Sequence, residues 1–218
     1  MKIRFGGSAL LLLSLALISC VPWTVRPIES ETETADAQST DSPAAYVEAI
    51  WESKLVPAIS AAAVEVRTLL DALAASPQNA FARYGHREAG GPVYFIVSGK
   101  GLVIGIDDKS RNGLALVDVA PFDRRPDLSI QIGPVMRGSS LRDATGIVRF
   151  SDFINQLHFA DVGNELNNRI LKTVLAPLSK VVLPGRAITF MGTLAAENNV
   201  QPPLRGLIPV KLTVEERQ

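Results

Sequence analysis

After the polar stretch over residues 21–42, apolar residues recur three and four positions apart, which is the spacing of an amphipathic helix. The chain enters this region at Ser42-Pro43, a strong start signal because serine caps helices and proline fits the first turn. The first predicted helix presents Tyr46, Val47, Ile50, Trp51 and Leu55 on one face. Pro57 is expected to kink this helix or to restart it.

Two further helices are predicted by the same reasoning. Residues 59–73 are rich in alanine, and their apolar face consists of Val66, Leu69, Leu70 and Leu73. Ser76-Pro77 repeats the start signal for a short helix that ends at Gly85. Residues 43–89 are therefore predicted to form a helical subdomain.

The pattern changes from helical spacing to short β-rich runs after residue 92. These runs are VYFIVS (93–98), LVIGID (102–107), LALVDV (114–119) and LSIQI (128–132). Turn-forming residues separate them at 98–101, 111–113 and 123–127. Short strands with such turns indicate an antiparallel meander, and a further strand is expected over residues 147–150.

One amphipathic helix and two strands complete the pattern. The helix is predicted over residues 159–178, with an apolar face of Val162, Leu166, Ile170, Val174 and Leu175. The strands are predicted over residues 187–194 and 207–214. A meander, a helix and two more strands is the order of an OB-like barrel. We therefore expect an α+β fold, in which the helical subdomain precedes a small antiparallel OB-like β-barrel over residues 90–218 with one packed helix.

The first twenty residues have the pattern of a targeting segment. Lys2 and Arg4 precede an apolar run over residues 9–18, which is too short to span a bilayer comfortably. The run ends in Leu17-Ile18-Ser19-Cys20, a branched aliphatic residue three before the cysteine and a small residue just before it. Residues 1–20 are therefore predicted to be a lipoprotein signal peptide, with Cys20 as the lipidation site. The alternative is an ordinary secretory signal with an incidental cysteine.

Composition and charge favour an acyl anchor over other attachments. Cys20 is the single cysteine, which excludes an internal disulfide and a thiolate metal cage. Residues 21–42 are acidic and rich in Ser and Thr, so they are predicted to be a disordered tether. The chain has 22 basic and 22 acidic residues, and loss of Lys2 and Arg4 with the signal peptide leaves a charge of about −2. Neither nucleic acid nor anionic lipid would be attracted to such a surface, so the membrane is contacted through Cys20.

Four blocks resemble a known family. They are AAYVEAIWESKLVPAI (44–59), RYGHREAGGPVYFIVSGKG (83–101), LSIQIGPVMRGSSLRDA (128–144) and FSDFINQLHFADVGNELNNR (150–169). Together they resemble the DUF2291 family of predicted periplasmic lipoproteins over essentially the whole mature chain. The resemblance implies a helical piece with an OB-like barrel and no assigned activity. It also implies an accessory role in uptake, because family members often lie beside sugar ABC-transporter genes.

The segment QIGPVMRGSSLRDA at 131–144 is the best candidate for a binding loop. Arg137 and Arg142 could together clamp an anion or a carboxylate. In the alternative, one of them pairs with Asp143 or Asp152, and the loop only closes the barrel. We expect Arg142 to be structural and Arg137 to point outward. The candidate binding residues are Arg137, Gly138, Ser139, Arg142, Asp143, Asn155 and Gln156.

The case for catalysis is thin. HExxH, P-loop, GxSxG and Rossmann motifs do not occur in the sequence. His158 and Asp161 would supply two metal ligands without a third, so no metal and no cofactor is predicted. Ser139 or Ser140 with His158 as base is the arrangement that a hydrolase would need. A run of amides that starts at Asn155 would suit the hydroxyls of a sugar, and it would equally suit helix capping.

Three functions therefore compete. The first is a lipid-anchored, non-catalytic binding or accessory module of the bacterial envelope, with a sugar-type ABC importer or a small polar ligand as its partner. The others are an envelope hydrolase and a purely structural envelope protein. An enzyme needs His158 within hydrogen-bond reach of a serine or a metal, and a binding module needs a concave polar pocket. Val21 after the lipid site permits either membrane.

The lipobox predicts that Cys20 is acylated and becomes the mature N-terminus. Cells fed an alkyne fatty acid should label the wild-type protein, whereas Cys20→Ser should lose the label because the acylated thiol is gone. Label retained by Cys20→Ser would contradict the prediction.

Overall fold

The computed structural model describes four stretches of the chain, residues 42–87, 91–178, 181–196 and 202–215. The predicted signal peptide over residues 1–20, the lipidation site Cys20 and the tether up to residue 41 lie outside the described residues. The description therefore begins at Ser42, where the sequence predicts the first helix to start.

The first helix carries a distortion just before Pro57. Helix α1 (Pro43–Ile50) is capped by the Ser42 hydroxyl, as predicted. A π-helical turn (Trp51–Leu55) follows and leads directly into α2 (Val56–Ala62). Because proline cannot donate the backbone hydrogen bond of a regular helix, the chain passes Pro57 through one wider turn.

The helix predicted over residues 59–73 is wrong, because the chain leaves the helical conformation after α2. Two residues form β1 (Val64–Glu65), which pairs in parallel with the next strand. Helix α3 (Val66–Ala75) then starts with the Glu65 carboxylate as its cap. Helix α4 (Pro77–Tyr84) follows with a serine cap, as predicted. The β-branched Val64 favours the extended conformation that interrupts the helices.

One long strand replaces the first two predicted strands. Strand β2 (Val93–Asp107) runs straight through residues 98–101, where the sequence predicts a turn. Gly101 provides space there rather than a bend, since the Val117 side chain and the Asp118 carbonyl occupy the position of a Cβ. The predicted turn at residues 98–101 is therefore wrong, because glycine is required there for close packing within a continuous strand.

The remaining strands complete an OB-like barrel. They are β3 (Leu114–Asp118), β4 (Leu128–Gln131), β5 (Ala187–Ala196) and β6 (Leu204–Val214). Antiparallel ladders join β2 to β3 and β5, β3 to β4, and β5 to β6. Strands β4 and β6 pair in parallel, so pairing passes from β2 through β3, β4, β6 and β5 back to β2. The OB-like class is confirmed, but the predicted antiparallel barrel includes the parallel pairing of β4 with β6.

The strand predicted over residues 147–150 does not form. This segment is irregular and leads into a 3-10 turn (Phe150–Asp152). The turn is closed by reciprocal hydrogen bonds between Arg149 and Asp152. Val148 is buried in the core without strand pairing. The apolar character of residues 147–150 therefore reflects burial and not a strand.

Two helices follow β4 along the chain. Helix α5 (Ser140–Asp143) is a single turn, and α6 (Gln156–Arg169) is the long helix that the sequence predicts. Helix α6 starts earlier than predicted because the Asn155 side chain caps it, accepting from the His158 backbone at 2.8 Å. It continues as further helical turns to Leu178 and buries Val162, Leu166, Ile170 and Leu175.

The helices and the barrel share one hydrophobic core. Helix α3 packs on β2 and α1 packs on α6. Fully buried side chains include Leu55 and Ile59 from the helices and Phe95 and Phe190 from the barrel. The division at residues 89 and 90 into separate domains stays a prediction. Among the described residues, no helix is long and apolar enough to cross a membrane.

The packing at Gly101 predicts a contrast between two glycines of β2. Gly101→Ala should destabilise the fold by about 1–3 kcal/mol, because its Cβ would meet Val117 and the backbone oxygen of Asp118. Gly105→Ala is the control, since its Cβ would meet only the flexible end of Leu116 at 3.5 Å. In thermal unfolding, the melting temperature should fall by about 2–4 °C per kcal/mol for Gly101→Ala and not for Gly105→Ala. Equal melting of both variants would contradict this packing.

Candidate binding site

Backbone hydrogen bonds join the start of the candidate loop (131–144) to the turn between β2 and β3. Ile132 N donates to Gly113 O at 3.0 Å, and Gly133 N donates to Asn112 O at 2.9 Å. Gly133 lies so close to the Asn112 backbone that a Cβ would not fit. The strand therefore ends at a fixed point, and the loop leaves it in one direction.

The buried side chain of Gln131 holds the far end of the same loop. Its Nε2 donates to Arg137 O and to Gly206 O, both at 2.9 Å, and its Oε1 accepts from Arg137 N at 2.8 Å. All the polar atoms of this buried amide are thus used, which makes the cost of burying it small. The sequence analysis missed this role, although a glutamine inside the apolar run LSIQI was the available signal.

The side chain of Arg142 turns inward and binds Asp143 in a bidentate ion pair. Nε donates to Oδ1 at 2.6 Å and Nη2 donates to Oδ2 at 3.1 Å, with the two side chains only 14% and 11% exposed. Tyr94 Oη donates to the same carboxylate at 3.0 Å. Arg142 also donates to Phe159 O at 3.3 Å, and its guanidinium lies 3.7 Å from the centre of the Phe159 ring. Arg142 and Asp143 are thus engaged within the protein and not presented to a ligand.

The environment of Tyr94 keeps its hydroxyl protonated. Burial raises the pKa of this tyrosine, and the charge of Asp143 adds to the rise, while a hydrogen bond with Ser139 and the charge of Arg142 lower it. Its contribution to stability is present below the unfolded pKa of about 10 and is lost as pH rises through the higher folded value. Tyr94 is therefore a stable hydrogen-bond donor to Asp143 at neutral pH.

Ser140 and His158 contact other residues and not each other in the stretches that the structure describes. The Ser140 hydroxyl lies 3.0 Å from the Thr193 hydroxyl, and both residues are buried. The His158 ring packs edge-on against Phe153 at 5.7 Å. No hydrogen bond joins His158 to Ser139 or Ser140 within the described part of the chain. In that part, no group of three or more His, Cys, Asp and Glu side chains could hold a metal ion.

The predicted run of amides divides between two places on α6. Asn155 is the helix cap, and Gln156 is exposed in the first turn. Asn164 lies about 13 Å further along the helix axis. There it joins Asn167 and Asn168 in one wall of a groove with a volume of 260 Å³. The opposite wall is the loop at Pro134, Val135 and Met136.

Arg137 and Gly138 are exposed, as is Pro134 earlier in the loop. Gly138 has a φ of 99° and open space around its Cα, and its carbonyl accepts a hydrogen bond from Asn167 Nδ2 at 3.0 Å. This bond attaches the loop to α6 beside the groove. Among the described residues, the Arg137 side chain has no ion pair or hydrogen bond, so it is the one candidate arginine left for an outside contact.

These features define an α+β protein with an OB-like barrel, helices packed on it and a polar groove at one end. Such an architecture is also found in a crystal structure of an OB-fold protein from Thermotoga maritima. The similarity has a TM-score of 0.67 and 23% sequence identity, and it covers 81% of this chain and 100% of that chain. At this identity the likeness establishes the fold alone. No curated protein matches the chain.

The family profile of the predicted periplasmic lipoproteins (DUF2291) matches residues 10–213. The chain belongs to the DUF2291 family of predicted periplasmic lipoproteins, as the four sequence blocks indicated. It is thus a lipid-anchored protein of the bacterial cell envelope that faces the periplasm.

Truncation of the two arginines should affect the stability of the fold to different extents. Arg142→Ala leaves Asp143 partly buried without its cation, and it should cost about 2–4 kcal/mol and lower the melting temperature by several degrees. Arg137→Ala removes an exposed, unpaired side chain and should melt within about 1–2 °C of wild type. Equal losses in thermal unfolding would show that the two arginines do not have these separate roles.

Proposed function

We propose that the protein is a non-catalytic binding or accessory module of the cell envelope that serves a sugar-type ABC importer. The observation that carries this proposal is the groove between the loop and α6. The importer is proposed as the partner because family members often lie beside sugar ABC-transporter genes. A lipid anchor would keep the module next to such a transporter in the periplasm.

The lining of the groove suits a small hydroxylated ligand. Amides both donate and accept hydrogen bonds, which matches the dual character of sugar hydroxyls. Asn164 and Asn168 are exposed on α6 and line the groove. The loop wall contributes Pro134, Val135 and Met136, and such apolar groups cover the C–H faces of a sugar. Arg137 follows this wall directly and would contact a partner or an anionic substituent.

A separate apolar surface supports contact with a membrane component of the importer. Phe150, Ile154 and Leu157 are 55%, 48% and 71% exposed, and we call them the apolar patch. Phe150 packs against Phe159 at 5.6 Å, Phe159 against Phe153 at 5.6 Å, and Phe153 against Tyr46 at 5.1 Å. This chain of rings links the patch to α1, the helix with which the described fold begins after the lipid-anchored segment. Exposed apolar patches commonly mark protein interaction sites.

Capture from native membranes tests the ligand side of the proposal. Asn164→Ala with Asn168→Ala should lower the amount of co-purifying sugar at least tenfold, because the groove loses its hydrogen-bonding wall. Gln156→Ala is the matched control, an exposed amide of the same helix outside the groove. Mass spectrometry of the released metabolites gives the readout. If wild type releases no sugar, or if the groove variant keeps it, the sugar-binding role fails.

The same preparation tests the partner side. Ile154→Ser with Leu157→Ser should lose importer subunits after cross-linking while keeping the sugar. Phe122→Ser is the control, because Phe122 is 62% exposed but belongs to another loop. A wild-type protein that captures neither sugar nor importer subunits would leave the purely structural role as the function.

A further inference from the structure

A second cavity lies between the helices and the barrel, and its lining residues are all different from those of the groove. Its volume is 410 Å³, which is within the range of small-molecule sites. Helix α2 and β1 supply an apolar wall at Ala58, Ala62 and Val64. The end of α4, strand β2 and the turn after α5 supply the remaining walls. Nothing in the proposed sugar-binding or importer role uses this cavity.

Backbone pairing fixes two of the rings that line the cavity. His86 N donates to Tyr94 O at 2.8 Å, and Tyr94 N donates to His86 O at 2.7 Å. Residues that exchange both hydrogen bonds in an antiparallel pair lie directly opposite, so their side chains project to the same face. His86 and Tyr94 therefore stand side by side, and both line the cavity. The Tyr94 hydroxyl is already anchored on Asp143, which holds this wall in place.

The polar groups of the cavity are suited to an anion. Arg83 is an exposed residue that lines the cavity, and its guanidinium lies 5.2 Å from the centre of the Tyr84 ring. No ion pair engages Arg83 among the described residues, and none of the described lining residues is acidic. The His86 ring also lines the cavity, while its Nε2 is buried beside Gly146. Among the described lining residues, the guanidinium of Arg83 is therefore the group available to pair with an anion.

We propose that this cavity binds a small organic carboxylate. Arg83 pairs with the carboxylate group, and the His86 ring forms the wall beside it. The carbon skeleton lies on the apolar wall of Ala58, Ala62 and Val64. The bound acid thereby joins α2, α4 and β2, which meet around the cavity.

Calorimetry on the mature lipoprotein in lipid nanodiscs, with empty nanodiscs subtracted, tests the proposal. The probes are 3-phenylpropanoate and hexanoate, each compared with its own primary amide. The amides match the acids in size and apolar surface but lack the charge. Each acid should bind saturably and at least tenfold more tightly than its amide. Saturable binding of neither acid up to millimolar concentration would overturn the proposal.

Two variants locate the binding. Arg83→Gln should remove the preference for acid over amide, whereas Arg205→Gln, an exposed arginine outside the cavity, should keep it. Ala58→Phe should fill the cavity and abolish binding of both probes. Arg83 is exposed and Ala58 is half-buried, so both substitutions should be tolerated by the fold. The melting temperatures of the variants check this. An unchanged acid preference in Arg83→Gln, or unchanged binding in Ala58→Phe, would show that the acid does not occupy this site.

Discussion

The bidentate ion pair between neighbouring residues Arg142 and Asp143 determines where the chain runs after the barrel strand β4. Charges removed from water are costly unless their partners are well placed. Here the carboxylate receives two guanidinium hydrogen bonds and one from Tyr94, while the guanidinium also meets the Phe159 ring and carbonyl. The pair thus connects three elements at one point. Tyr94 of β2 donates to Asp143 of α5, and Arg142 of α5 donates to the carbonyl of Phe159 in α6.

Because Arg142 and Asp143 pair with each other, the residues before α5 and the residues after α5 line two different sites. Before α5, the loop faces the asparagines of α6 and forms the groove. After α5, Ala144 and Thr145 face the cavity that contains His86 and Tyr94. A clamp made of both candidate arginines is therefore unavailable, since Arg142 is committed to Asp143 and Arg137 alone points outward. The family relationship places both surfaces in the periplasm.

Local signals predicted the parts of the fold that depend on neighbouring residues. Ser42 and Ser76 cap the helices that they were expected to cap, and the alternation of strands and one helix indicated the OB-like barrel. Contacts between distant residues could not be predicted in the same way. The sequence predicts a turn at Gly99 and Gly101, but both glycines pack closely against side chains that the sequence does not reveal. It also predicts Asn155 as a binding residue, whereas Asn155 caps α6. The roles of Gln131 and Tyr94 likewise depend on partners far away in sequence.

A double-mutant cycle on Tyr94→Phe and Arg142→Gln, followed by urea unfolding, tests most directly whether these groups act as one network. Tyr94→Phe removes one hydrogen bond to Asp143 and Arg142→Gln removes the two guanidinium hydrogen bonds. Each change should therefore cost more once the other has been made. The account predicts that the two free-energy changes depart from additivity by about 1 kcal/mol or more. Changes that add within about 0.3–0.5 kcal/mol would mean that Tyr94 and Arg142 act independently, and the central role given to this ion pair would be contradicted.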